Sequence, residues 1–308
     1  MLTSIYGAIS LGLILSLMAL GVYITFRILD FPDLTVDGSF ATGGAISAIM
    51  ITQGYNPWIA TLGALAGGLI AGACTGVLHT KGKINGLLAG ILMMIALYSI
   101  NIRIMGKPNV SVVNLPTLIS PFHKPIGLYI AVLFVAIIII KLLLDAFLKT
   151  DLGLALRATG DNSRMIRSFG SNTDTTIIIG VSLSNGLVAV SGALMAQDGG
   201  YADTTMGVGM IVIGLASVII GEAIFGARTV FIATLAVIFG SILYRIVVAF
   251  ALRVPWLEAS DLKLITALIV IVALVLPTIQ RAMKQKNLAR KRSLELSTIT
   301  ASDQGGKR

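Results

Sequence analysis

Residues 5–26 read IYGAISLGLILSLMALGVYITF, an apolar run in which no side chain carries a charge. A helix rises about 1.5 Å per residue, so about 20 such residues cross a hydrocarbon core of about 30 Å. No basic residue precedes the run and no small-residue cleavage motif follows it, which argues against a removable signal peptide. We therefore expect a transmembrane helix that remains in the mature protein.

Apolar runs of similar length recur along most of the 308 residues. The chain is 56% hydrophobic and only 12% charged, with a mean hydropathy of +0.93, whereas a soluble domain keeps roughly a quarter of its residues charged. The composition predicts an all-α polytopic membrane protein with about eight to ten transmembrane helices. The candidate runs are residues 5–27, 38–53, 58–78, 86–105, 126–147, 176–197, 207–226, 229–250 and 262–280. The short second run could also be a re-entrant half-helix.

Basic residues are distributed unevenly between the two sides of the predicted membrane domain. The formal net charge is +9, but most cations lie in short loops and in the tail, a positive-inside pattern that does not require a nucleic-acid partner. One side collects Arg27, Lys81, Lys83, Lys149, Arg157, Arg164, Arg167, Arg228 and the cations of residues 281–292. The other side holds Arg103, Lys107, Lys124, Arg253 and Lys263. We expect the first side to be cytoplasmic, with a membrane domain at residues 1–280 and a basic cytoplasmic tail at residues 281–308.

The third run carries small residues at the spacing that allows helices to approach closely. GxxxG pairs occur at positions 63/67, 68/72 and 72/76. Inside lipid, no hydrophobic force drives helices together, so close backbone contact must hold them. We expect this helix to lie at the crowded centre of the subunit.

Two polar breaks interrupt the apolar pattern, at residues 30–39 (DFPDLTVDGS) and residues 198–207 (DGGYADTTMG). The distribution of basic residues assigns the first break to the cytoplasmic side and the second to the exterior. Each break precedes a helix rich in small residues. An inverted repeat leaves paired breaks of this kind, but ordinary loops between helices are polar as well, so both interpretations stay open.

The longest interior loop on the basic side spans residues 149–175. Asp161 can cap a short helix in this loop, and Gly170 can end it. The apolar positions of that helix recur at helical spacing and are Met165, Ile166 and Phe169. An apolar stripe in the cytosol favours a partner groove, while the neighbouring arginines would also allow the helix to lie on an anionic leaflet.

Within this loop, residues 153–162 (GLALRATGDN), followed by Gly170, resemble the coupling-loop motif of permeases in the branched-chain amino acid and ribose class of ABC importers. Residues 27–45 and 191–221 resemble the same family, so the similarity covers nearly all of residues 1–280. Residues 33–40 (DLTVDGSF) resemble a Gram-positive branch described as tryptophan or tyrosine transport permeases. An aromatic amino acid is therefore the expected solute, and branched-chain amino acids, sugars and nucleosides stay open.

The resemblance implies a multi-subunit importer in the bacterial plasma membrane. Two permease copies would form a dimer, two separate ATPase subunits would dock on the coupling helices, and an extracellular binding protein would deliver the solute. The residues that would carry the ATPase contact are Arg157, Asp161, Asn162, Met165, Ile166 and Phe169. The basic tail departs from the family pattern, and its cations suit contact with anionic membrane lipid.

The first break supplies the candidate residues of the solute pathway, which are Asp33, Asp37, Gly38 and Ser39. A crossing amino acid carries an ammonium and a carboxylate, and the pathway must replace part of their hydration. The two carboxylates could face the ammonium, and the amides of Gly38 and Ser39, which open the next helix, suit an anion. Alternatively, Asp37 is the N-cap of that helix and Asp33 lies in a turn after Pro32.

The sequence indicates no catalytic site. A P-loop requires G-x-x-x-x-G-K-[ST], and residues 76–83, the nearest stretch, lack that spacing. His79 and His123 are far apart in sequence, so we expect no histidine-based metal site or hydrolase triad. Glu222 and Arg245 lie near the ends of their runs, from which they can reach the interface by snorkelling.

We therefore expect a protein that is not an enzyme, binds no cofactor and uses ATP hydrolysed by a partner subunit. Two other functions compete with this interpretation. An ion-coupled secondary transporter would carry a carboxylate deep within a span, and the sequence offers no convincing candidate. A non-transporting membrane scaffold would not need glycine-rich breaks.

Overall fold

The structure, a computed structural model, describes residues 2–122, residues 126–251 and five positions between 264 and 275. The ninth predicted run lies mostly outside these residues, and the tail lies entirely outside them. The described chain is almost entirely helical, which confirms the predicted fold class. Its helices are α1 (Leu2–Val22), continued by a π-helical turn (Tyr23–Ile28), α2 (Thr35–Thr52), α3 (Pro57–Thr80), α4 (Gly86–Met105), α5 (Ile126–Lys149), α6 (Asp151–Ser168), α7 (Thr173–Gly199), α8 (Met210–Phe225) and α9 (Val230–Ala251). The remaining elements are strands β1 (Asn109–Ser111) and β2 (Tyr201–Asp203) and a 3-10 turn (Ser120–Phe122).

Eight of the predicted apolar runs correspond one to one to α1–α5 and α7–α9. Among the described residues, six helical segments are long and apolar enough to cross a membrane: α1 with its π-helical turn, α3, α4, α5, α7 and α9. Helix α8 is apolar but has only 16 residues. Helix α2 begins at Thr35, three residues before the predicted start. These two helices, α2 and α8, are the ones that follow the polar breaks.

Local polar side chains determine where several helices begin. The Asn56 side chain accepts a hydrogen bond from the amide of Trp58 at 2.9 Å, and the Asn85 side chain accepts one from the amide of Leu87 at 2.9 Å. Each bond satisfies an amide that lacks a partner within its own helix. Helix α4 ends at Gly106, whose φ of 66° is the left-handed conformation that glycine adopts without strain.

The helix bundle has two ends, the α6 end, where α6 lies, and the sheet end, where β1 and β2 lie. At the α6 end, a Cβ on Gly160 would lie 1.8 Å from the carbonyl oxygen of Ile28, so α6 contacts the last residue of the π-helical turn directly. At the sheet end, β1 and β2 pair antiparallel with Asn109 opposite Asp203. Helices α1, α3 and α5 run towards the α6 end, and α4, α7 and α9 run towards the sheet end.

Helices α2 and α8 both begin inside the bundle and run in opposite directions. The residue before α2, Asp33, is bonded at 2.6 Å to Asn185, which lies halfway along the 27 residues of α7. Helix α8 begins beside Asp37 and reaches the α6 end, where Glu222 pairs with Arg27.

The contacts of these helices are related by an approximate two-fold symmetry. Helix α2 packs on α7 and α3, α8 packs on α1 and α9, α3 packs on α7, and α9 packs on α1. Exchanging α1, α2 and α3 for α7, α8 and α9 therefore reproduces the same set of contacts. This is the arrangement of an inverted repeat, and it favours that interpretation of the two breaks over ordinary loops.

The glycines of α3 fulfil their predicted packing role, but the helix does not lie at the centre. A Cβ on Gly68 would lie 2.3 Å from the carbonyl oxygen of Asn185, and a Cβ on Gly72 would lie 2.4 Å from that of Val181, so α3 packs closely against α7. The opposite face of α3 is exposed, with Leu62 63% accessible. The centre is formed by α1, α2 and α7 instead. Spacing revealed the close contact, but it did not reveal how many faces of α3 are covered.

Candidate functional site

Asp33 lies at the middle of the bundle and joins α2 to α7. Its Oδ1 accepts the amide N–H of Thr35 at 2.9 Å, and its Oδ2 accepts the side-chain N–H of Asn185 at 2.6 Å. The residue is 2% exposed. Asp33 therefore caps the start of α2 from within the protein. The alternative interpretation, in which Asp33 lies in a cytoplasmic turn after Pro32, is wrong, because Asp33 is buried against the middle of α7.

Asp37 lies in the first turn of α2 and caps α8 instead of its own helix. Its two carboxylate oxygens accept the amides of Gly209 and Ile211, each at 2.8 Å. These amides lie at the start of α8, where unpaired N–H groups and the helix dipole favour a negative charge. A Cβ on Gly207 would lie 1.8 Å from the carbonyl oxygen of Asp37, so the second break passes directly over the first turn of α2. Asp37, which was predicted to be the N-cap of α2, therefore caps the distant helix α8.

We call this meeting point of the two breaks the α2/α8 junction, and it consists of Asp33, Asp37, Gly38, Asn185, Gly207, Gly209 and Ile211. Gly38 and Ser39 are fully enclosed in it. Their amides lie inside α2 and not at its opening, since the helix begins at Thr35. The premise that these two amides are free to bind an anion is therefore wrong.

A cavity of about 50 Å³ adjoins the junction and is lined in part by Asp37, Gly38, Tyr98, Asn101 and Thr204. Asn101 is completely buried, and within the described chain its Oδ1 has no hydrogen-bond partner. A cavity of this size holds about one or two water molecules and is too small for an amino acid. The sequence analysis missed Asn101, although a polar amide in an apolar run was an available signal.

Helix α6 consists of two halves separated by a kink. Asn162 has non-helical backbone angles, φ −158° and ψ 89°, and its Oδ1 accepts the amide of Met165 at 3.0 Å. The capping residue of the outer half is therefore Asn162, and the predicted cap at Asp161 is wrong by one residue. Gly170 follows with φ +84°, which confirms the predicted helix stop.

The two halves of α6 differ in what they contact. The inner half is held against the bundle: Leu156 is completely buried, and Gly160 touches the backbone of Ile28. The outer half presents apolar side chains to solvent, with Met165 48% and Phe169 78% exposed. Ile166, between them, is partly buried.

Arg157 and Asp161 do not join the exposed apolar stripe of α6. Both line a polar cavity between α6, the π-helical turn and the connection from α8 to α9. The six residues predicted to contact an ATPase thus face in two directions. Met165 and Phe169 point outward, and Arg157 and Asp161 point towards the rest of the chain.

A buried ion pair in α5 was not anticipated from the sequence. The Lys141 Nζ lies 2.5 Å from Oδ2 of Asp145, and both side chains are under 5% exposed. Thr234 of α9 donates to Oδ1 of Asp145 at 2.8 Å, and the ammonium lies 3.1 Å from the ring centroid of Phe231. The cluster fastens α5 to α9 just before α6 begins. Opposite charges four residues apart inside an apolar run were a detectable signal.

Comparison with known proteins matches this chain to a family of transport permeases. The family model described as branched-chain amino acid transport system / permease component matches residues 4–275. The tyrosine transport system permease protein of Clostridioides difficile (strain R20291) is 46% identical over 286 residues, which cover 93% of this chain and 95% of that protein. The autoinducer 2 import system permease protein of Salmonella typhimurium is 26% identical over 294 residues, which cover 94% of this chain and 82% of the relative.

Among solved structures, PsaBC from Streptococcus pneumoniae in complex with Fab aligns over 86% of this chain and 89% of the matched chain, with a TM-score of 0.53. The sequence identity in that alignment is 15%. At this identity the likeness concerns the fold alone. It shows that the helical arrangement described above occurs in a known protein.

Proposed function

This chain belongs to the branched-chain amino acid transport system permease family, and we propose that two copies of it form the solute pathway of a bacterial importer for an aromatic amino acid. It is a permease subunit of an ABC importer, and a permease component has no ATPase site of its own. In the proposed assembly, two ATPase subunits dock on α6 at one face of the membrane, and a binding protein delivers the solute at the other.

The observation that carries the solute assignment is the 46% identity to a tyrosine transport permease along almost the whole of both chains. The family match alone does not choose a solute, since another relative is named for autoinducer 2 import. The ion-coupled alternative gains one argument from the structure, because Asp33 is a carboxylate at the depth that such a transporter requires. Both of its oxygens are bonded within the chain, however, and family membership favours ATP as the energy source.

The distribution of charge supports a cytoplasmic location for the α6 end. Its exposed arginines include Arg27, Arg157, Arg164, Arg167 and Arg228, whereas the described basic residues in the sheet-end half of the bundle are Arg103, Lys107 and Arg245. Positive residues concentrate on the cytoplasmic side of membrane proteins. In this orientation, the outer half of α6 faces the cytosol, where an ATPase would meet it. The predicted cytoplasmic location of the tail concerns residues outside the described ones and stays a prediction.

Contacts of α6 supply a physical route from the ATPase to the pathway. The outer half offers Met165 and Phe169 to a partner groove, with Ile166 between them. The inner half touches Ile28, which lies two residues before the first break (residues 30–39). This break contributes Asp33 and Asp37 to the α2/α8 junction. A displacement of α6 would therefore act directly on the chain segment that positions the junction.

The proposed pathway passes along the cavity beside the junction. Asp37 and Gly38 line this cavity, together with Tyr98 and Asn101. Asp33 and Ser39, which are enclosed between helices, would support the lining and not touch the solute. Exposed apolar faces on α3, α4 and α5 leave ample surface for lipid and for a second permease copy.

The proposal is tested by reconstituting the full-length chain with its ATPase and binding protein in proteoliposomes. We expect ATP-dependent accumulation of labelled tyrosine that exceeds accumulation of leucine and of ribose. Uptake of leucine in preference to tyrosine would contradict the solute assignment. Uptake driven by an ion gradient without ATP would contradict the importer mechanism itself.

A further inference from the structure

A polar cavity of about 350 Å³ lies at the α6 end, well separated from the α2/α8 junction. Its charged lining consists of Arg27, Arg157, Arg228, Asp161 and Glu222. Glu222 is already paired with Arg27 at 3.0 Å. Within the described chain, neither Arg157 nor Arg228 has a hydrogen-bond or ion-pair partner. The cavity is therefore lined by two guanidinium groups without an ion-pair partner among the described residues, Arg157 and Arg228, and by one such carboxylate, Asp161.

The start of α9 adds to the positive potential of this cavity. Thr229 and Val230 line it, and they mark the N-terminus of a helix of 22 residues. The hydroxyl of Thr229 accepts the amide of Ile232 at 3.3 Å, which satisfies only one of the free amides at this helix end. The remaining amides and the helix dipole favour an anion. The arginines and the N-terminus of α9 therefore both contribute positive potential to this cavity.

Exposed apolar side chains flank the cavity in the chain. Phe26 precedes Arg27 and is 43% exposed, while Ile224 and Phe225 follow Glu222 and are 57% and 51% exposed. The acyl part of a ligand that joins an anionic group to hydrocarbon would thus have exposed apolar side chains within three residues of Arg27 and Glu222. A free anion would contact only the polar lining of the cavity.

We propose that this cavity binds the phosphate group of an anionic phospholipid, with Arg157 and Arg228 as the principal contacts. Phosphate oxygens accept the paired N–H groups of a guanidinium in bidentate geometry. Basic pockets between helices at the cytoplasmic face are suited to such headgroups. The bound lipid would tie α6 to the π-helical turn and to the α8–α9 connection, and so would set the resting position of the coupling helix. This role is additional to transport and does not depend on the identity of the solute.

The test measures binding of phosphatidylglycerol to the purified full-length chain, by native mass spectrometry and by the lipid-dependent rise in its thermal unfolding midpoint. Arg157→Gln and Arg228→Gln should each weaken binding about fivefold, and the double variant about twenty-fivefold. Arg164→Gln, which removes a cation from the same helix outside the cavity, should leave the affinity unchanged. Phosphatidylcholine should produce no saturable shift.

Two arms of the experiment separate the possible sources of the anion. Glycerol phosphate, which lacks acyl chains, should compete only weakly with phosphatidylglycerol. Competition at equal affinity would overturn the lipid assignment in favour of a free phosphate ester. Unchanged lipid affinity in the double variant, with binding of the ATPase lost, would overturn the proposal and assign both arginines to the protein interface. Because both side chains are exposed, we expect all these variants to fold.

Discussion

The α2/α8 junction and the outer half of α6 differ in the exposure of their candidate functional side chains: Asp33 is buried at the junction, whereas Met165 and Phe169 on α6 are exposed. At the junction, Asp33 and Asp37 satisfy helix starts contributed by two halves of the chain, and backbone contacts such as that of Gly207 leave no space between them. The outer half of α6 instead exposes Met165 and Phe169. The junction is formed within one chain, whereas the exposed apolar side chains of outer α6 would be covered only in the proposed complex with an ATPase. Substitutions at the junction should therefore cost stability, and those on outer α6 should cost coupling.

The largest loss of stability is expected for Asp33→Ala. The variant would leave the buried amide of Thr35 without its acceptor and would remove one of the two acceptors of the Asn185 side-chain N–H groups, which would keep only the carbonyl of Val181. We expect a cost of about 3 kcal/mol in the free energy of unfolding. Asp33→Asn is the matched control, because the introduced amide oxygen can still accept the amide of Thr35, which limits the loss to about 1 kcal/mol. Thermal unfolding in detergent measures both. Equal stability of the Ala variant and the parent would show that Asp33 does not hold the junction together.

Asp37→Asn should have a smaller effect on stability and a disproportionate effect on transport. An asparagine oxygen can accept only one of the two α8 amides, so we expect a loss of about 1 kcal/mol. Because Asp37 also lines the cavity beside the junction, uptake per folded complex should fall well beyond the loss of folded protein. Asp203→Asn, which alters a carboxylate that among the described residues accepts hydrogen bonds from the nearby Thr205 alone, should leave uptake intact. Full uptake in Asp37→Asn would remove this residue from the pathway.

On the outer half of α6, Phe169→Asp should change stability by less than about 0.5 kcal/mol, because the side chain is already 78% exposed. Stimulation of the partner ATPase should nevertheless collapse, since a charge would enter an apolar contact. Ser163→Asp adds the same charge to an exposed position of the same helix and should retain stimulation. Normal coupling in the Phe169 variant would favour a helix that merely lies on the lipid surface.

The sequence predicted the elements of this fold better than their meeting points. Hydropathy identified eight described helices because each apolar run is a local property. The bond from Asp37 to Gly209 joins residues 172 positions apart, and nothing in either break specifies that partner. Lys141 escaped notice because one cation hardly alters the mean hydropathy of a long run. The start of the outer half of α6 was predicted one residue early, at Asp161, because Asp161 and Asn162 are both good caps.

Photo-crosslinking tests most directly the proposal that the outer half of α6 is the docking surface for an ATPase. A photoreactive phenylalanine analogue would replace Phe169 in the assembled transporter, and in a control it would replace Tyr201, which is 53% exposed at the sheet end. We predict a crosslinked product between the permease and its ATPase from position 169 and none from position 201. Crosslinks from position 169 to lipid alone, in a complex that still hydrolyses ATP, would contradict the account.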